Sequence, residues 1–192
     1  MSEFCPEVWP EDPTPKSELN CKECGLYDHG TRMIWGEGNT DAPITIILDN
    51  PGARENSMGE SIVCGTRETL QHAIDHVGLG KSLFYVTYIL KRRPIKKYNK
   101  EQTRKICMTH HLNEQLKHQN PQYILCLGNV AVQSFFADHD VDVKGLRGSW
   151  YNVNGYETTV AYHPLAIRRR PNLHHKFIED LTLVKTRFLN EN

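Results

Sequence analysis

Apolar residues in this chain come in short runs separated by amphipathic stretches. The clearest run is Ile44-Thr-Ile-Ile-Leu48, which ends abruptly in Asp49-Asn50-Pro51-Gly52. A run of this kind predicts a strand buried on both faces. Pro51 has no N–H to continue a ladder and Gly52 tolerates positive φ, so the strand stops there. Thr66 to Val77 has helical spacing, with Leu70, Ala73, Ile74 and Val77 on one face and Thr66 as a candidate N-cap. Leu83 to Leu90 predicts a second strand, Lys100 to His118 a helix, Gln122 to Leu127 a third strand, and Val130 to Phe136 a helix. Gly145 to Gly148 reads as a turn. Short strands over Trp150 to Val153 and Thr158 to Tyr162 flank Asn154-Gly155, and a helix from about Leu173 to Leu189 follows. Residues 1–20 are polar and carry Pro6, Pro10, Pro13 and Pro15, which predicts a flexible lead-in to a single domain over 21–192. Strands alternating with helices predict a three-layer α/β/α sandwich around a central, mainly parallel four-stranded sheet.

Three polar clusters follow predicted strands. Asp49-Asn50 closes the first. Lys91 to Lys97 holds five basic residues in seven, Lys91, Arg92, Arg93, Lys96 and Lys97, after the second. His163-Pro164-Leu165-Ala166-Ile167-Arg168-Arg169-Arg170 follows the last. Each has a plainer reading: a turn, a solvated loop and a helix start. In a parallel sheet, however, the carboxyl ends of the strands share one edge, and ligands bind there. A carboxylate, a carboxamide and an imidazole ringed by arginines and lysines would then meet. Gly128, directly after the third strand, permits a close approach of other groups.

Composition changes the picture little. The 192 residues are 39% hydrophobic and 24% charged, with a formal net charge of zero. The case for nucleic acid therefore rests on how the basic residues are distributed. No apolar run approaches a membrane span and the N-terminus lacks a signal-peptide pattern, so a cytoplasmic protein without membrane contact is expected. The sequence carries no mark of oligomeric state, and a monomer is the default. Six cysteines in such a chain point to a metal or to buried thiols rather than disulfides. Cys21-Lys-Glu-Cys24 is a metal knuckle or a redox pair. No strand precedes it, which argues against the redox form. Cys126 reads as a buried small hydrophobe, and Cys5 carries no assignment.

The order of these motifs resembles the uracil-DNA glycosylase superfamily, and within it the iron–sulfur family 4. That family has a C-x-x-C, a strand ending in Gly-Glu-Ala-Pro-Gly, a strand ending in Asn-Val-Val-Lys-Cys-Arg-Pro-Pro and a further Cys about fifteen residues on. It continues with a Leu-Gly-x-x-Ala turn, an Arg-Gly turn and a His-Pro-Ser loop. The counterparts here are Cys21 and Cys24, Leu48 to Gly52, Tyr88 to Ile95, Cys107, Leu127 to Ala131, Arg147-Gly148 and His163-Pro164. The resemblance implies a monofunctional DNA glycosylase. Asp49 stands at the family's catalytic Glu, Asn50 at the Asn that positions water in the Asn-Pro-Gly branches, and His163 at the His that stabilises the departing base. Pro51, Gly52, Ile62, Cys64 and Tyr88 correspond to the base pocket. Lys91, Arg92, Arg93, Lys96 and Arg168 to Arg170 would hold phosphates, with Leu165 or Ile167 filling the gap left by a flipped base. No lysine stands at a recognisable catalytic place, so strand cleavage is not expected.

Two departures sharpen these expectations. Tyr88 replaces the uracil-reading Asn, and Ile62 the stacking aromatic. A Tyr hydroxyl cannot make the two-sided match of an Asn amide. A modified pyrimidine, such as those of phage genomes, is therefore expected beside uracil, with defence as the role beside repair. Arg92 replaces a cluster Cys. Cys21, Cys24, Cys107 and His110 then have the donor types and spacing of a structural zinc site, with His111 also within reach of Cys107's helix face. A [4Fe–4S] cluster with Cys64 or a His as substitute ligand is the alternative, and no organic cofactor is expected. Two rival readings of the chain remain: a DNA-binding module of the same fold without base excision, and a metal-dependent hydrolase resting on the cysteines.

Overall fold

The computed structural model describes residues 4–53, 63 and 65–191. One sheet holds seven strands: β1 (Glu11–Asp12), β2 (Gly36–Gly38), β3 (Ile44–Leu48), β4 (Phe84–Tyr88), β5 (Tyr123–Leu127), β6 (Tyr151–Val153) and β7 (Tyr156–Ala161). The helices are α1 (Gly65–His76), α2 (Lys100–Cys107), α3 (Asn113–Gln119), α4 (Asn129–Phe136), α5 (Val143–Leu146), α6 (Pro164–Arg169) and α7 (His174–Glu191). A π turn, Met108–Leu112, joins α2 to α3 without a break.

The strand order is β1-β2-β4-β3-β5-β7-β6. β4, β3, β5 and β7 are parallel and form the expected four-stranded centre. The sheet is larger than expected because β1 and β2 extend one edge and β6 the other, all antiparallel. β1 and β2 are two and three residues long and are made of Glu, Asp and Gly. No apolar alternation announces them. The β6–β7 hairpin turns on Asn154 and Gly155, at φ 53° and 86°, the pair of positive φ values that the right-handed twist of a two-residue hairpin favours.

Alternation along the strands divides the core into two layers. Ile44, Ile46 and Leu48 of β3 face the side covered by α1 and α7, where Leu70, Ile74, Phe177 and Leu181 are buried. Ile47 faces the opposite side with Ile124, Cys126, Leu112, Leu116 and Val132. The three-layer sandwich follows from that two-sided burial. Burial pushes the Cys126 thiol up, as befits a small hydrophobe inside a sheet.

The N-terminal segment departs from the expected flexible lead-in. Trp9 is 8% exposed and joins the α1-side core. The Glu7 N–H donates to Gln71 Oε1 at 2.8 Å, and Gln71 Nε2 returns a bond to the Glu7 carbonyl at 2.7 Å. Prolines remove donors and set φ without preventing packing, which is why composition alone misjudges this stretch.

Candidate active site

Parallel register brings the strand ends together. Leu48 stands beside Tyr88, and Leu127 beside Ala161. Pairing continues past the strands, with Ile89 N–H donating to the Leu48 carbonyl at 2.8 Å and Leu90 N–H to the Asp49 carbonyl at 2.9 Å. The residues after these ends enclose a cavity of about 260 Å³ whose wall includes Asp49, Asn50, Gly52, Tyr88, Arg93 and His163. That is below the roughly 300 Å³ at which pockets for larger ligands begin, and suits a single base. A larger hollow of about 740 Å³ lies beside α2, α3 and α4 and contains none of the strand-end residues.

His163 caps α6. Its Nδ1 accepts the Leu165 N–H at 3.0 Å, with Pro164 opening the helix behind it. The proton of the neutral ring therefore sits on Nε2. Nε2 lies 3.6 Å from Asp49 Oδ1. Burial pushes the Asp49 carboxyl up, but its interaction with His163 and the backbone N–H groups of Asn50 and Asp49 outweigh this, and the group lies below its ordinary value. Asp49 is thus an acceptor at neutral pH, and His163 a donor. The Asn50 amide is turned onto its neighbour, donating to the Pro51 carbonyl at 2.9 Å, and Pro51 itself is buried.

Gly128 makes room for this arrangement. At φ 88°, a Cβ there would come within 2.9 Å of His163 Cβ. A Gly128→Ala substitution will strain the backbone and push the imidazole aside. Displacements of about 1 Å cost catalysis on the order of 10²-fold. Base-release kinetics on folded protein will show that loss, and normal turnover would refute the positioning argument.

Tyr88 forms the floor. It is 1% exposed, and its hydroxyl accepts from Arg67 Nη2 at 3.0 Å. Arg67 is itself ion-paired through Nε to Glu37 on β2. Arg67 escaped the sequence reading, although a signal existed: it stands three residues before Leu70, on the apolar face of α1, where a charge requires a buried partner. Thr66, read only as a cap, lines the cavity too. Ile62 and Cys64 lie outside the described residues.

The basic cluster after β4 divides. Lys91 is fully buried, with Nζ bonded to Thr87 Oγ1, Gln115 Oε1 and the Trp35 carbonyl, so it cannot meet a phosphate. Arg92 is 8% exposed, donates to the Thr31 and Leu19 carbonyls and lies over the Tyr27 ring. Both are corrections: the strand's inward alternation continues through these residues and takes their long side chains into the interior. Arg92→Ala will leave two carbonyls without their charged donor. Unfolding in urea will show a loss of about 2 kcal/mol, with the salt dependence of DNA binding unchanged. Arg93 is half-buried, while Lys96 is exposed and bonds the Asp28 carbonyl.

The loop after His163 divides likewise. Leu165 is 38% exposed and borders the cavity, whereas Ile167 is 4% exposed and packs in the core, so Ile167 is no wedge. Ile167→Ala will cost about 2–5 kcal/mol of stability. Leu165→Ala should leave unfolding unchanged and lower turnover on duplex DNA more than on single strands. Arg168, Arg169 and Arg170 are exposed, and Arg168 lies against the backbone of Gly65 at the start of α1.

Away from this edge, Cys24 packs against the core cluster that buries Cys107. The interaction between the two thiols lowers the Cys24 pKa and raises that of Cys107. Lys91 N–H points at Cys107 Sγ from 3.4 Å. Glu18, Cys21 and His111 offer ligand atoms within 4.8 Å of one another. His110, expected as the fourth ligand, is exposed on the helix surface, a correction that the π turn explains. A turn that closes on the fifth residue rather than the fourth carries the residue three beyond Cys107 off its face and brings the fourth onto it. The chemistry of the donor set, thiols with an imidazole and a carboxylate alongside, suits a thiophilic metal centre.

A family model described as the uracil DNA glycosylase superfamily matches residues 35–182. Similar curated proteins include type-4 uracil-DNA glycosylases. The one from Archaeoglobus fulgidus is 28% identical over 169 residues, covering 84% of this chain and 85% of the relative. That from Pyrobaculum aerophilum is 28% identical over 174 residues, covering 85% and 87%. That from Thermotoga maritima is 26% identical over 171 residues, covering 86% and 88%. The family match spans every strand from β2 to β7 and both strand ends that carry Asp49 and His163, and so the chain belongs to the uracil DNA glycosylase superfamily.

Proposed function

We propose that the chain is a monofunctional DNA glycosylase that draws a flipped base into the Asp49–His163 cavity and hydrolyses its N-glycosidic bond, leaving an abasic site. The supporting observation is a carboxylate held ionised 3.6 Å from an imidazole whose Nε2 bears the proton. As the C1′–N bond breaks, its electron pair stays on the base and C1′ becomes cationic. His163 Nε2–H donates to the base as that negative charge develops, a stabilisation worth roughly 10²–10³ in rate. Asp49 stabilises the cationic sugar and takes a proton from the water that adds to C1′, with Asn50 beside it as the water's second contact.

The relatives are named for uracil. The buried, Arg67-anchored Tyr88 supports a different preference here, a modified pyrimidine, and with it a role against phage genomes rather than in repair. Arg93, Lys96 and Arg168 to Arg170 are the phosphate contacts, and Leu165 is the wedge. Among the described residues no helix is long and apolar enough to cross a membrane.

Base release measured by mass spectrometry tests the reading. The substrates are uracil-containing DNA and phage DNAs with modified pyrimidines, with Asp49→Ala as control. Release of a modified base with little uracil is the expected result. Release of uracil alone would keep the glycosylase and remove the altered specificity. Bound DNA with no release from any substrate would favour the binding module. A paired Arg169→Ala, Arg170→Ala variant should lower the slope of log binding constant against log salt by about 2, at roughly 0.9 for each phosphate no longer neutralised.

A further inference from the structure

We propose that His111 takes the ligand place that Arg92 vacates, so that this chain holds its metal centre with three thiolates, Cys21, Cys24 and Cys107, and one imidazole. The inference does not depend on which base is excised.

Four observations carry it. First, the residue at the family's missing cysteine is a guanidinium, which cannot ligate a cation, and it is already bonded to the Thr31 and Leu19 carbonyls. Second, the π turn Met108–Leu112 puts His111 and not His110 on the buried side that carries Cys107. Third, His111 is 1% exposed, and its Nδ1 is buried with no hydrogen bond. A buried ring nitrogen without a partner costs about 1–3 kcal/mol, and coordination removes that cost. Fourth, the His111 nitrogen, Cys21 Sγ and a Glu18 carboxylate oxygen lie within 4.8 Å of one another, and Cys24 packs against the core cluster that buries Cys107.

The surroundings fit as well. Glu18 Oε2 stands 3.3 Å from the same nitrogen without making a hydrogen bond to it, which places a negative charge beside the proposed cation. The Trp35 ring meets the imidazole edge-on at 5.6 Å and holds its plane. Lys91 N–H, directed at Cys107 Sγ, stabilises a thiolate there. Bound metal would tie the Glu18–Cys24 segment to the helical rod, a structural role some distance along the chain from Asp49 and His163. Three thiolates and an imidazole suit a tetrahedral zinc ion. They also suit an iron–sulfur cluster in which an imidazole replaces one thiolate.

The test uses the full chain purified without oxygen, with zinc, iron and acid-labile sulfide counted per protein. Iron with sulfide identifies a cluster, and zinc alone identifies the single ion. His111→Ala should lose at least nine-tenths of either, and His110→Ala should keep all of it. His111→Cys should keep the metal and change its spectrum, read directly for a cluster and after cobalt replacement for zinc. If His111→Ala does not fold, the His111→Cys spectrum decides alone. Full metal in His111→Ala, an unchanged spectrum in His111→Cys, or a metal-free parent protein would each overturn the proposal.

Discussion

Asp49→Ala will lower base release by about 10²–10⁴-fold, the range for removal of a positioned general base, while leaving DNA binding intact. Asp49 does two things at once. In the proposed reaction it holds the sugar's positive charge and accepts the water's proton, and neither role passes to Asn50, which has no charge to offer. The side chain is partly open to the cavity, so its loss leaves no buried void and the fold should survive. Single-turnover kinetics beside DNA-binding titrations separate the two effects. A variant that binds normally and releases base at the parent rate would remove Asp49 from the chemistry.

The pH dependence follows from the same pair. The folded-state pKa of Asp49 is lowered, so its carboxylate, and the stability that its contact with His163 contributes, is present above the unfolded value of about 3.9. Both are lost only as pH falls through the lowered folded value. The activity of the parent enzyme should therefore show no loss attributable to Asp49 between pH 7 and about pH 4. An acid limb centred well above pH 4 that disappears in an Asp49→Asn variant would contradict the assignment of the shift.

Tyr88→Asn carries the second large effect, on choice of base rather than on rate. The substitution restores an amide that donates and accepts along a pyrimidine edge, and clears the space filled by the phenol. Sites built to hydrogen-bond a substrate group discriminate by up to about 10⁴–10⁵. The ratio of uracil to modified-base release should therefore rise by at least about 10². Stability will fall, because Arg67 Nη2 loses the phenol oxygen that accepts its hydrogen bond and a buried aromatic volume empties. Competition assays with both substrates in one tube read the ratio independently of how much protein is folded. An unchanged ratio would show that Tyr88 does not read the base.

Much of this was visible in the chain itself. β3, β4 and β5 are almost wholly apolar and every residue in them is buried, which leaves such a run no other place than the middle of a covered sheet, whereas β7 carries Glu157 and two threonines and is buried only over its last four residues. Once four parallel strands are granted, Asp49 and His163 must share an edge, because both follow strand carboxyl ends. Gly128 was readable as a point of close approach, though not that His163 would be the group approaching.

What lay hidden has a common cause. Charge and proline content describe a residue's cost in an average setting, not the partners that a fold supplies. Lys91 and Arg92 read as phosphate ligands until Thr87, Gln115, Thr31 and Leu19 surround them. Trp9 sits in a proline-rich segment that reads as loose, yet it closes one end of the core. The π turn has no sequence mark of its own, and one residue of extra winding decides whether His110 or His111 faces the cysteines. Periodicity and motif order, which act between near neighbours along the chain, determined the central sheet, the edge where Asp49 and His163 meet, and the family. Tertiary packing alone decided which of the basic, cysteine and histidine residues face the cavity, the solvent or one another. Gln115, Thr31 and Leu19, which satisfy the buried charges of Lys91 and Arg92, stand 24 to 73 residues away from them in sequence, and no local pattern encodes a partner at that distance.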